Sequence, residues 1–176
     1  MQYFKVCKYD YDNPDYMSDW MLGSELLKAG QSHYPEEYYI VEQQFLEVVS
    51  NFFEYFNEGE FNTHHLKFFL DDDDFNSPDE KVAAFSNLLP NIDLPYLVDK
   101  EFNTLSNIEK VYIYQLSLRD VVQVGVKDVK TGACFSDMSD GFYWFLALPD
   151  DVPIDEIVKP QKGVYVYDWY DIWSDE

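Results

Sequence analysis

The sequence predicts an α+β fold in which N-terminal helices pack on a mainly antiparallel β-sheet formed largely by the C-terminal half. Two patterns lead to this expectation. Apolar residues recur at helical spacing in the first half, whereas β-branched and aromatic runs separated by Gly, Pro and Asp fill the second half. With 176 residues, 47% of them hydrophobic and 19% aromatic, the chain can bury a core, so we expect one acidic domain over residues 1–176.

The first predicted elements are a strand and a helix. Residues 3–9 are aromatic and β-branched and are followed by the turn-forming residues 10–14, which is typical of a strand. Residues 15–29 then place apolar side chains on one helical face. Asp15 can cap this helix, and Gly30 can end it.

A helix over residues 41–58 is predicted by the strongest apolar periodicity in the chain. One face carries Val41, Phe45, Val48, Val49, Phe52 and Phe56, and the other carries Glu47, Asn51, Glu54 and Glu58. Pro35 and the two acids after it suit the start of this segment, and Gly59 suits its end. Residues 38–41 alone also fit a short strand that enters the helix.

Four consecutive aspartates follow an apolar run, residues 64–70, whose secondary structure the sequence leaves open. They are Asp71, Asp72, Asp73 and Asp74. Because buried like charges repel one another, this cluster must be solvated or neutralised. A third helix is predicted over residues 79–89, stopped before Pro90, and a short helical turn is expected between Pro95 and Ile108.

The second half contains four predicted strands, over residues 111–116, 121–129, 142–148 and 164–173. Residues 130–132 form a plausible hairpin turn. In the last strand one face carries Tyr165, Tyr167 and Trp169, which fits either a core strand or an exposed aromatic binding face.

Charge is the most unusual property of the chain. Thirty-four acidic residues face 12 basic ones, giving a net charge of -22 and a pI of about 4.1. Such a charge disfavours nucleic acid and anionic membranes as direct ligands and favours a cationic partner, although acidity can also serve solubility alone. From Glu36 to Glu80 thirteen acids accompany one base, Lys67, so this region carries -12. The predicted partner-binding residues lie in it: Glu47, Glu54, Glu58, Asp71, Asp72, Asp73 and Asp74.

The acidic clusters match no metal-binding or catalytic motif. A calcium-binding loop starting at Asp72 fails, because Ser77 replaces the turn glycine and Ala83 replaces the bidentate glutamate. Asp137 and Asp140 suit a connecting loop better than acid–base or metal chemistry. We therefore expect no metal ligands and no cofactor.

Nucleophile motifs are equally absent from the sequence. It contains no glycine-rich phosphate loop and no G-x-S-x-G motif, and neither Cys7 nor Cys134 lies in a nucleophile signature. We expect the pKa of Cys134 to be raised by nearby acids, as in a structural thiol. The protein is thus predicted not to be an enzyme. Two cysteines without C-x-x-C spacing and an N-terminus without an apolar signal region favour the cytoplasm.

The chain has a tyrosine- and aspartate-rich opening, YFKVCKYDYDNPDYMSDW, an acidic central region, and an ending rich in acidic and aromatic residues, VYVYDWYDIWSDE. In this it resembles the immunity proteins of bacterial polymorphic toxin and contact-dependent growth inhibition systems. The resemblance implies that the protein neutralises a basic cognate toxin, most often an RNase or DNase, by covering its active-site cleft. The alternatives are a nucleic-acid mimic that inhibits a DNA- or RNA-binding protein, and a metal-dependent hydrolase that uses Asp71–Asp74 or Asp137 and Asp140.

Overall fold

The computed structural model describes residues 1–10, 36–68, 97, 100–119, 122–138 and 142–169, except the side chains of residues 37, 64, 65, 67 and 68. These residues form a mixed α+β fold, which confirms the predicted class. The strands are β1 (Gln2–Cys7), β2 (Phe61–Phe68), β3 (Val122–Asp128), β4 (Cys134–Asp137), β5 (Tyr143–Leu148) and β6 (Tyr165–Asp168). The helices are α1 (Glu36–Tyr55), α2 (Asn107–Leu118) and the single turn α3 (Ile154–Ile157).

The six strands form one antiparallel sheet in the order β2-β3-β4-β5-β1-β6. The N-terminal strand β1 is thus inserted between two strands of the C-terminal half, and Phe4 lies opposite Leu146 of β5. A 3-10 turn, Phe102–Thr104, precedes α2 and matches the helical turn expected there. No helix in the described ranges is both long enough and apolar enough to cross a membrane.

Helix α1 covers one face of the sheet and confirms the predicted apolar stripe. All six stripe residues are buried: Val41, Phe45, Val48, Val49, Phe52 and Phe56. Phe45 contacts Trp144 of β5 edge to face, with 5.0 Å between ring centroids, and Phe52 lies 5.3 Å from Phe135 of β4. Aromatic burial between α1 and the central strands is therefore the main apolar contact of the fold.

Helix α2 replaces the strand predicted over residues 111–116, and that prediction was wrong. A capping box begins the helix: the Ser106 hydroxyl accepts from Glu109 N, and the Glu109 carboxylate accepts from Ser106 N at 2.7 Å. Lys110, Ile113, Tyr114 and Ser117 are buried, at the i, i+3, i+4, i+7 spacing of a helix. The capping signal and this period outweigh the high strand propensity of Val, Ile and Tyr.

The remaining predictions divide into confirmed and corrected ones. The strands predicted over residues 3–9, 121–129 and 142–148 correspond to β1, β3 and β5, and the ambiguous run at 64–70 is largely part of β2. Residues 38–41 are helical rather than a strand. Strand β6 covers Tyr165–Asp168 of the strand predicted over residues 164–173, and residues 170–173 lie outside the described part of the chain. The predicted helices over 15–29 and 79–89 lie outside the described residues. Strand β4 and helix α3 were not predicted.

Candidate functional site

The outward face of α1 carries a row of carboxylates. Glu36, Glu47 and Glu54 are exposed, and so is Glu58, which follows the last turn of the helix. Glu47 and Glu54 are seven residues apart, which places them on the same side of the helix about 10 Å apart along its axis. We call Glu36, Glu47, Glu54 and Glu58 the acidic helix face.

No carboxylate of the acidic helix face forms an ion pair with another described residue. Described residues form ion pairs elsewhere, such as Asp150 with the N-terminal amine, Glu109 with Lys100, and Glu42 with Arg119. An unpaired row of like charges on a rigid helix projects a directional negative potential into solvent. The prediction that Glu47, Glu54 and Glu58 face away from the apolar stripe is thus confirmed in its geometry, while their binding role stays a prediction.

An open groove runs beside the acidic helix face, between α1 and α2. Its volume is about 380 Å³, and its lining includes Leu46, Glu47 and Ser50 of α1 and Ile108, Val111 and Tyr112 of α2. Ile108 is 60% exposed, the highest value among the exposed large apolar residues of the described ranges. The groove therefore combines an apolar wall on α2 with a carboxylate on α1. Ile108 was not proposed from the sequence, because it lies outside the strand predicted over residues 111–116 and no helix was predicted to place it on a surface.

Two polar residues of α1 make contacts inside the fold and are not part of the acidic helix face. Glu42 is fully buried, and its carboxylate oxygens accept from Arg119, the chain's only arginine, at 2.5 Å (Nε) and 2.7 Å (Nη2). Asn51, predicted on the polar face, donates from Nδ2 to Ile157 O of α3 at 3.1 Å. Glu42 lies four residues before Leu46 and seven before Val49, so its position among the buried residues carried a signal that the sequence analysis missed.

Of the aspartates considered as binding or catalytic candidates, some lie inside and some outside the described residues. Asp71, Asp72, Asp73 and Asp74 lie outside the described residues, as does Asp140. Asp137 is the buried last residue of β4 rather than part of a connecting loop, because the strand extends to pair it with Trp144 of β5. Within the described ranges no group of three or more His, Cys, Asp or Glu side chains is placed to hold a metal ion.

Cys134 of β4 and Tyr114 of α2 are both buried. Burial raises the pKa of Cys134 to about 11, so its thiol is protonated at neutral pH. The predicted direction of this shift is correct, but its cause is burial rather than nearby acids. Burial also raises the pKa of Tyr114 well above its usual value, and its hydroxyl donates to Phe135 O at 2.9 Å. Neither group is poised as a nucleophile or a general base.

Comparison of the chain with protein-family models, curated proteins and solved structures finds no match.

Proposed function

We propose that this protein is an immunity protein, which binds a basic toxin domain and blocks its active-site cleft with the acidic helix face. The observation that carries the proposal is the unpaired carboxylate row on α1 beside a groove with an exposed apolar side chain, Ile108. The net charge of -22 supports a cationic partner. The proposal includes no catalytic residue and no cofactor in this chain.

The two parts of the surface have different physical roles in this proposal. The carboxylates attract a cationic protein over a distance and orient it, which raises the association rate. The groove holds the complex once it has formed, because an apolar side chain of the partner can bury its surface against Ile108 and Tyr112. Fast association and slow dissociation together suit an inhibitor that must act before its target does damage.

A nuclease toxin fits this surface better than other basic proteins. Most contacts of a nucleic-acid-binding cleft are made to phosphates, so such a cleft is lined with Lys and Arg. Carboxylates on a rigid helix can occupy these cationic positions and exclude the substrate.

The alternative of a nucleic-acid mimic receives less support from the described geometry. Glu47 and Glu54 lie about 10 Å apart along the helix axis at 1.5 Å per residue, whereas each strand of B-DNA carries a phosphate about every 3.4 Å. Carboxylates this far apart fit a single protein of complementary shape better than a range of nucleic-acid-binding enzymes.

The test is protection of cells in which this protein is co-expressed with basic nuclease toxin domains, including any encoded beside its gene. The variant Glu47→Lys/Glu54→Lys/Glu58→Lys should fail to protect, while its melting temperature stays close to that of the native protein. The matched control Glu101→Lys/Asp151→Lys/Asp155→Lys changes the charge equally at exposed acids outside α1 and should protect fully. Equal protection by both variants would show that the acidic helix face is not the binding surface. No protection by the native protein would refute the immunity function.

A further inference from the structure

A second feature lies where α1 ends. A surface cavity of about 180 Å³ is lined by residues 55–59 and, from the β3–β4 hairpin, by Asp128, Lys130 and Thr131. The cavity adjoins the acidic helix face, because Glu58 belongs to both. Two segments that are distant in sequence build it, and a backbone hydrogen bond from Val129 N to Glu60 O at 2.8 Å holds them together.

Asp128 is the buried charged group of this cavity. It is 1% exposed, and its Oδ2 accepts hydrogen bonds from Thr131 N at 2.9 Å and from Thr131 Oγ1 at 2.5 Å. Its Oδ1 accepts no hydrogen bond from any described residue. This atom faces Gly59, where an added Cβ would lie 2.9 Å from it. A buried carboxylate oxygen without a donor is costly, so a bound cationic donor would be strongly favoured there.

The surrounding charges favour a cation. The last carbonyl groups of α1 have no donor within the helix and give its C-terminal end a partial negative charge. Glu58 adds a carboxylate at the cavity. Lys130 lines the cavity but makes no ion pair with Asp128, although both residues belong to the described part of the chain. Two carboxylates and a helix C-terminus therefore outweigh one ammonium group.

We propose that this cavity binds the guanidinium group of an arginine side chain, supplied by the basic partner of the proposed function. A planar guanidinium presents five donors in a fixed arrangement, which suits Asp128 Oδ1 and the Glu58 carboxylate together. It also stacks on aromatic rings, and Tyr55 at the cavity is 46% exposed. An ammonium group has fewer donors and no planar surface.

Asp128 lines the cavity and its Oδ1 lies against Gly59, so a guanidinium group approaches this oxygen past the glycine. Glycine at position 59 leaves the approach to Oδ1 free of a side chain. The backbone amides of Gly59 and Thr131 should therefore report directly on binding.

The experiment is an NMR titration of the full chain with Nα-acetyl-arginine amide, followed at the Gly59 and Thr131 amides. We expect saturable shifts at both amides and none with the neutral isostere Nα-acetyl-citrulline amide. Asp128→Asn should weaken binding about tenfold or more, since it removes a charge-assisted hydrogen bond. Glu58→Gln, which changes an exposed side chain, should weaken binding without affecting the fold, and Lys130→Gln should strengthen it.

The matched control is Glu47→Gln, which makes the same change of charge about 12 Å along α1 from Tyr55 at the cavity, more than the Debye length of about 8 Å at physiological salt. It should leave the affinity unchanged. Equal shifts with citrulline amide, equal affinity for Nα-acetyl-lysine amide, or unchanged affinity in both Asp128→Asn and Glu58→Gln would overturn the proposal. The inference rests on the proposed function only for the source of the arginine. Its failure in this titration is thus distinguishable from a failure of protection in cells.

Discussion

Removing one partner of the buried ion pair between Glu42 and Arg119 should strongly destabilise the fold. Its side chains are 1% and 3% exposed, Arg119 binds the carboxylate through two nitrogens, and Gln115 Nε2 donates a third hydrogen bond at 3.0 Å. Glu42→Gln removes the carboxylate that neutralises the buried Arg119 guanidinium group. We expect the free energy of unfolding to fall by about 3–5 kcal/mol. For a chain of this size that corresponds to a drop in melting temperature of roughly 6–20 °C.

The assay is urea unfolding of four proteins followed by tryptophan fluorescence, since Trp144 is fully buried. They are the native chain, Glu42→Gln, Arg119→Met and the double variant Glu42→Gln/Arg119→Met. The double variant should lose less stability than either single variant, because it leaves no unpaired charge in the interior. A loss below about 1 kcal/mol in both single variants, as for an exposed pair, would refute this reasoning. So would a double variant whose loss equals the sum of the two.

Three further predictions concern the fold. Phe52→Ala should lower the free energy of unfolding by about 3–5 kcal/mol, because Phe52 is fully buried, whereas Tyr55→Ala on the exposed side should cost far less; urea unfolding measures both. Gly163→Ala should cost about 2 kcal/mol or more in the same assay, since Gly163 has a φ of 92° and an added Cβ would lie 2.5 Å from Val41 Cγ2; an unchanged midpoint would contradict this. The hydrogen bonds from Ser106 lower the pKa of Glu109 from 4.5 to about 2, so the ionised carboxylate stabilises the fold above about pH 4.5 and this stabilisation is lost as the pH falls toward 2. The stability difference between the native protein and Glu109→Gln should therefore shrink from pH 6 to pH 2, and a constant difference would contradict this assignment.

The local elements could be read from the sequence wherever one periodic pattern dominated. The stripe from Val41 to Phe56 predicted α1, and alternating β-branched and aromatic residues predicted β1, β3 and β5. Helix α2 was missed because its residues favour strands by composition, while its period and its Ser106 capping box favour a helix. The place of β1 between β5 and β6 depends on long-range pairing, which no local pattern encodes.

The acidic helix face could be predicted from the helical period alone, because Glu47 and Glu54 fall on the side of the helix opposite the apolar stripe. The partners of buried charges could not be predicted in this way. Glu42 meets Arg119 only because α1 packs against the end of α2, and Asp128 meets Gly59 only because the β3–β4 hairpin lies at the end of α1. These contacts join segments that are more than sixty residues apart in the sequence.

The central claim is that the acidic helix face attracts a basic toxin domain, and the association rate measures this attraction most directly. Stopped-flow binding of the toxin domain should be fast at about 50 mM salt and should slow by about tenfold or more at 300 mM, where electrostatic screening is stronger. Glu47→Lys/Glu54→Lys/Glu58→Lys should associate slowly at both salt concentrations, whereas Glu101→Lys/Asp151→Lys/Asp155→Lys should stay close to the native rate. An association rate that is insensitive to salt and equal in the two triple variants would contradict the account.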